Sequence, residues 1–181
     1  MKLVILDRDG VINYDSPHFI KTPDEWQPLP GSLNAIVRLQ QHGYRVAVAT
    51  NQSGLGRGLF DRETLLAIHA KMLAAVHAHG GDIDIIAFCP HHPDENCACR
   101  KPKPGLLIDI LHRSQIAASE AIMVGDSLRD IQAGLAVGCK SYLVLTGKGQ
   151  ETLAKADPTL EKAIICQDLA AVVDDLLAHK I

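Results

Sequence analysis

The chain has 181 residues, a formal net charge of −3 and a sequence pI near 6.3. With 47% hydrophobic residues and a mean hydropathy of +0.07, it can bury one substantial core without disulfides, so one domain over residues 1–181 is expected. The acidic balance argues against an extended nucleic-acid surface, and no apolar stretch approaches the roughly 20 residues of a membrane span; the expectation is a cytoplasmic monomer.

The first apolar run, Leu3 to Leu6, is a buried strand that runs directly into Asp7-Arg8-Asp9-Gly10. Residues two apart on a strand share a face, so Asp7 and Asp9 can serve one site while Gly10 lets the backbone turn beside them. Two such acids can share a cation, or divide labour as nucleophile and proton carrier. Taken alone, Asp and Gly after a strand are also ordinary turn residues.

A helix fits Ser32 to His42, with Ser32 as its N-cap and Gly43 as its stop; Val46 to Thr50 is the next strand. Thr50-Asn51-Gln52-Ser53-Gly54 then offers hydroxyls, amides and free backbone N–H groups suited to wrapping an oxyanion, or else a polar loop. Asp61 caps a longer helix that ends before Gly80-Gly81, and Ile83 to Cys89 is the third strand.

Cys89-Pro90-His91-His92, followed closely by Cys97-Ala98-Cys99, has the Cys₃His composition of a closed structural zinc site, with His91 taken as the imidazole ligand from its C-x-H spacing. Cys139 and Cys166 sit singly in apolar surroundings and belong to the core. Arg100-Lys101-Pro102-Lys103-Pro104-Gly105 carries three cations into the next helix, where zinc would pin the loop and aim at least one of them inward.

Pro104 opens a helix through Ile110 and Leu111. The strand Ala121 to Val124 ends at Gly125-Asp126-Ser127-Leu128-Arg129-Asp130, before a helix from Leu128 to Val137. Asp126 is placed to complete an oxygen shell with Asp7 and the backbone of Asp9, a donor set suited to Mg²⁺. Asp130 either assists from the next turn or complements a helix N-terminus. Strands at Ser141 to Leu145 and Ala163 to Cys166, and a last helix capped by Asp168, complete an α/β pattern of a parallel sheet covered on both faces.

Asp7-Arg8-Asp9-Gly10, Thr50-Asn51-Gln52-Ser53, Lys101-Pro102 and Gly125-Asp126 together resemble the four motifs of the haloacid dehalogenase superfamily of phosphatases, over nearly the whole chain. The resemblance implies a Rossmann-like three-layer α/β/α sandwich with a mainly parallel sheet. It implies Asp7 as the nucleophile, Asp9 as the proton donor, Thr50 and Lys101 holding the phosphoryl group, and Asp7, Asp9 and Asp126 binding Mg²⁺. The loops after Asp9 and Gly54 are too modest for a large cap domain, so a fairly open site with a zinc-loop insertion is expected.

The D-R-D-G start with the Cys-x-His…Cys-x-Cys-Arg-Lys-Pro insertion resembles one branch of that superfamily, which acts on a heptose 1,7-bisphosphate or on histidinol phosphate. The free-standing length, Thr50-Asn51-Gln52-Ser53-Gly54 with Arg57-Gly58, and Cys89-Pro90-His91-His92-Pro93 favour the sugar bisphosphate; the short span from His91 to Cys97 also resembles the histidinol form. For the sugar, the resemblance implies that Arg100 meets the sugar phosphate. Asp15, Ser16, Pro17, His18, Thr50, Asn51, Gln52, Ser53 and Ser127 would line the pocket. Ser127 stands where some members have Lys, which removes one cation from the substrate's surroundings. The product would be a heptose 1-phosphate on the way to ADP- or GDP-heptose. A non-enzymatic zinc module binding an anionic partner, and a receiver-like signalling domain, are the readings from other classes; one basic loop on an acidic protein is a poor footprint for the first, and the second needs no zinc insertion.

Overall fold

The structure is a computed structural model that describes residues 2–179, so Met1, Lys180 and Ile181 at the ends of the expected 1–181 span lie outside the described residues. β1 (Lys2–Leu6) lies at the centre of a six-stranded sheet with β2 (Tyr44–Asn51), β3 (Ile85–Cys89), β4 (Ala121–Gly125), β5 (Lys140–Val144) and β6 (Ile164–Cys166). Their order is β3-β2-β1-β4-β5-β6 and every pairing is parallel.

Alternation along the strands decides which helices cover which face. Val4, Leu6, Val46, Val48, Ile122 and Val124 point toward one layer: α1 (Ser32–Gln41), α3 (Arg62–Ala78) and α7 (Leu169–Ala178), packed through Ile36, Leu39, Ile68, Met72, Val172 and Val173. Leu3, Ile5, Ala47, Ala49 and Met123 point the other way, onto α4 (Gly105–Ser114) through Leu106, Leu107 and Ile110 and onto α5 (Leu128–Val137) through Ala133. Both faces are therefore dry, and the strands read as nearly continuous apolar runs.

Short elements escape a periodicity reading. α2 (Ser53–Gly56) and α6 (Gly149–Ala154) are one turn or little more, below the length at which an apolar face repeats. Ser32 is the first residue of α1 and not its N-cap; Gly31 holds that place, and the Ser32 hydroxyl lies against the carbonyls of Ile12 (2.7 Å) and Leu29 (2.9 Å), tying the helix to the loop after β1. Asp61 and Asp168 cap α3 and α7 as expected, each accepting a backbone N–H at 2.8 Å. The connections after β1 and β2 hold no separate cap layer, and among the described residues no helix is long and apolar enough to cross a membrane.

The strand order reverses at β1, with β2 and β3 laid to one side and β4 to β6 to the other. A crevice opens outside the carboxyl ends of strands at such a point. Asp7, Asn51, Cys89 and Asp126 stand at the ends of β1, β2, β3 and β4.

Candidate active site

The carboxylates of Asp7, Asp126 and Asp130 converge above β1 and β4, with one oxygen from each lying within 4.8 Å of the others. Burial pushes the Asp7 carboxyl up to about 7; Lys101 opposes the rise, while Asp130 and Asp9 add to it. Asp126 is pushed up to about 8, again chiefly by burial and then by the charges of Asp7 and Asp130. Acids crowded this closely favour a cation among them, and an all-oxygen set suits the hard ion Mg²⁺. Gly10, at φ +81°, and Gly147 form the cradle beside Asp126: a Cβ on either would lie 2.0 or 2.2 Å from Asp126 Oδ2.

Lys101 answers part of this negative charge. Its fully buried ammonium contacts Asp7 Oδ1 at 3.1 Å and Asp130 Oδ1 at 2.6 Å and donates to the Ala49 carbonyl at 2.7 Å. The Asn51 side chain grips the backbone of Lys101 in both directions at 3.0 Å, which fastens the end of β2 to the loop that delivers the lysine. Asp130 also accepts the Ser127 N–H (3.0 Å) and hydroxyl (2.6 Å), so it both caps α5 and orients Lys101. Of the two roles expected for Asp130, the contact at the start of α5 is present, and its other oxygen meets Lys101.

Asp9 sits apart from the acid trio. Its Oδ1 accepts from Arg8 Nε (3.0 Å) and Nη2 (2.9 Å) and from Asn13 Nδ2 (2.9 Å), while Oδ2 accepts from Gln52 Nε2 (3.0 Å). Burial would raise its pKa, but the Arg8 guanidinium and these amides hold the carboxyl below the usual range. A bond at 2.8 Å from Gln52 Nε2 to the Thr50 hydroxyl oxygen joins the second station to the same network.

These groups line a cleft of about 380 Å³ that also includes Asp15, Ser16, Pro17, Asn51, Ser53, Arg100 and Ser127. Thr50, expected on the wall, is buried and does not line the cleft; its hydroxyl meets the lining residue Gln52 instead. His18 is not brought in; it lines a neighbouring depression with Tyr14 and Gln27. Sequence reasoning missed Phe19, Ile20, Arg129 and Lys148 on the cleft wall, and read Arg57 only as part of a resemblance. Lys148 follows β5 and Arg129 lies in the first turn of α5, so the rule that ligands gather at strand ends could have found both. Lys148 ion-pairs with Asp15 at 3.0 Å, and its N–H bonds Asp126 Oδ2 at 2.8 Å. Lys103 turns away to Asn96.

At the end of β3 the four soft ligands come together. Cys89 Sγ lies 3.5 Å from His91 Nδ1 and 3.6 Å from Cys97 Sγ; Cys99 Sγ lies 3.6 Å from Cys97 Sγ and 3.2 Å from His91 Nδ1. A tetrahedral zinc with Zn–S arms of about 2.3 Å has ligand–ligand edges of roughly 3.5 to 3.8 Å; three of these four separations match that spacing and the His91–Cys99 one is shorter, and the Cys₃His set is compatible with a closed structural zinc. His92 instead caps the turn at Pro93–Glu95. Gly105 N donates to Ala98 O at 3.2 Å, which joins the loop to the start of α4.

Residues 98–172 match the family model described as HAD-hydrolase-like. The chain is 55% identical over 177 residues to a D-glycero-beta-D-manno-heptose-1,7-bisphosphate 7-phosphatase of Bordetella bronchiseptica, covering 98% of each sequence. It is 53% identical to the protein of that name from Pseudomonas putida, covering 98% of this chain and all of the other. The crystal structure of the B. bronchiseptica D,D-heptose 1,7-bisphosphate phosphatase complexed with magnesium and phosphate superposes with a TM-score of 0.95 at 55% identity, covering 98% of this chain and 99% of that one.

Proposed function

The chain belongs to the HAD-like hydrolases, and from that premise we propose that it removes the 7-phosphate of D-glycero-β-D-manno-heptose 1,7-bisphosphate, yielding a heptose 1-phosphate for activated-heptose synthesis. The observation that carries this reading is the Asp7 carboxylate, set between the Lys101 ammonium and the Asp126 carboxylate at the floor of a cleft wide enough for a phosphorylated sugar. Residues 1–181 would act as one phosphatase domain.

In this mechanism Asp7 attacks phosphorus as the bond to the sugar oxygen breaks, leaving an aspartyl phosphate. Mg²⁺, held by Asp7, Asp126 and the backbone of Asp9, would screen the repulsion between the carboxylate and the phosphate. Lys101 adds a fixed positive charge at the attacking oxygen, and Thr50 with the backbone after it holds the phosphoryl group.

Asp9 donates the proton to the leaving alcohol. In the resting arrangement it is an acceptor in the Arg8 fork, so donation requires the fork to loosen; a dianionic phosphate brought alongside raises the proton affinity of Asp9 and favours that change. Water then attacks phosphorus and gives its proton back to Asp9. The bond to Asp7 breaks and inorganic phosphate leaves. The cysteine cluster would hold zinc as a clamp on the loop that carries Arg100 and Lys101, outside the chemistry.

The test is phosphate release with Mg²⁺ from the heptose bisphosphate and, in parallel, from histidinol phosphate, compared as kcat/KM. A large preference for the bisphosphate is expected. Preference for histidinol phosphate, or turnover of neither, overturns the substrate assignment.

A further inference from the structure

The turn after β5 reaches across β4 to the end of β1. In the sheet β5 lies beside β4 and β6, yet the Thr146 hydroxyl donates to the Gly10 carbonyl at 2.6 Å, one residue past Asp9. Gly147 packs against Gly10, where a side chain on Gly147 would strike the Gly10 backbone. Two further bonds fall on Asp126: the Lys148 N–H donates to Oδ2 at 2.8 Å, and the buried Thr152 hydroxyl, from α6, donates to the Asp126 carbonyl at 2.9 Å. One turn therefore grips the chain on both sides of the oxygen set assigned to Mg²⁺, the Asp9–Gly10 backbone and Asp126.

Asp7, Asp126 and Asp130 repel one another when ionised, so an Asp126 side chain left to itself would turn away from the trio. The Lys148 N–H and the wall made by Gly10 and Gly147 oppose that turn. Carboxylates that already converge lose less freedom when a cation arrives, which is how groups outside the ligand shell raise metal affinity. Thr146 and Thr152 act at one remove. They fix the two stretches of backbone from which Asp9 and Asp126 present their oxygens, and with them the separation that a cation must bridge.

We propose that Thr146 and Thr152 are positioning residues for the divalent cation: with the Lys148 backbone between them, they hold Gly10 and Asp126 at the spacing that Mg²⁺ requires. The inference rests on the Mg²⁺ site of the phosphatase reading above and adds the part of the fold that sets its affinity.

The test is titration calorimetry of Mg²⁺ into the protein with no sugar present, with a melting curve for each variant. Thiolates are soft ligands, so the cysteine loop does not compete for this ion. Thr146→Val and Thr152→Val remove the hydroxyls at nearly constant volume, and Thr146→Ser and Thr152→Ser keep them. Each valine variant should bind Mg²⁺ about tenfold more weakly than the wild type, the double variant more weakly still, and the serine variants about as well as the wild type. Thr146 is only half-buried, so where Thr152→Val does not fold, Thr146→Val decides. Folded valine variants whose Mg²⁺ affinity stays within about twofold of the wild type overturn the inference even if they melt earlier, since the hydroxyls then serve the fold alone. Serine variants as weak as the valine ones overturn it too. A wild type that binds no Mg²⁺ overturns the metal site and the inference together, whereas a failure to turn over the heptose bisphosphate bears on the substrate assignment alone.

Discussion

The cleft floor and the cysteine loop are both clusters of metal-competent side chains, yet they are built on opposite plans. Four soft ligands between Cys89 and Cys99 stand close enough together to hold one ion, so a single loop contains the whole set. The carboxylates come from the ends of β1 and β4 and the first turn of α5, and they are crowded enough to push Asp7 and Asp126 toward neutral pKa values. A local cluster serves to fix a loop. A cluster assembled across the sheet, under electrostatic stress and facing a cleft, is the arrangement expected of chemistry.

The comparison breaks most sharply at Asp7. Asp7→Asn should lower kcat by about four orders of magnitude or more while leaving thermal stability at or above that of the wild type, because it removes a nucleophile and a crowded buried charge together. Steady-state kinetics and a melting curve check both halves; turnover near the wild-type rate would remove Asp7 from the chemistry. Lys101→Met should come next, with kcat down by about 10² to 10³ and a stability loss of roughly 3 kcal/mol, since Asp7 and Asp130 are then left facing each other without their shared cation.

The same difference in plan explains what could be read from the chain alone. Cysteines and a histidine packed into one loop announce themselves by spacing, and Cys89, His91, Cys97 and Cys99 do meet. Asp7 and Asp126 were legible because each follows an apolar strand, and parallel strands deliver their carboxyl ends to one side; Lys101 was legible from the run of cations that leads into α4. Orientation was not legible. Nothing in Asp7-Arg8-Asp9-Gly10 says that Arg8 turns inward to hold Asp9, or that Asp130 meets Lys101 as well as capping α5. His18 falls outside the cleft while Arg129 and Lys148 fall inside it, because loop path and helix phase, not sequence distance, decide which side chain reaches a wall.

If the cysteine loop is a clamp, disturbing it should cost stability first and turnover second. Cys97→Ser, or removal of zinc with a chelator, should lower Tm by about 10 °C, corresponding to a loss of roughly 3 kcal/mol. Activity should fall about tenfold, mainly through KM, as the Arg100-Lys101 segment loosens. Added zinc should restore both in the chelated protein but not in Cys97→Ser. A full loss of kcat with an unchanged Tm would place this cluster in the chemistry and erase the contrast.

An effect on stability alone is expected at His69, which lies near the Arg8 and Asp9 charges. Its ring is buried against Phe88, its Nε2 has no partner, and burial with the nearby Arg8 charge lowers its pKa from 6.5 to about 4. Between those values the unfolded chain binds a proton that the folded chain refuses, so stability is fully present above pH 6.5 and is lost as the pH falls toward 4. At the lower limit the loss amounts to about 3 kcal/mol, and to about 2 kcal/mol at pH 5. Urea unfolding of the wild type and His69→Leu at pH 7 and pH 5, both saturated with Mg²⁺, isolates this contribution as the difference in their pH dependence. The variant should lose less stability than the wild type on acidification. Equal losses would mean that His69 does not titrate in this window.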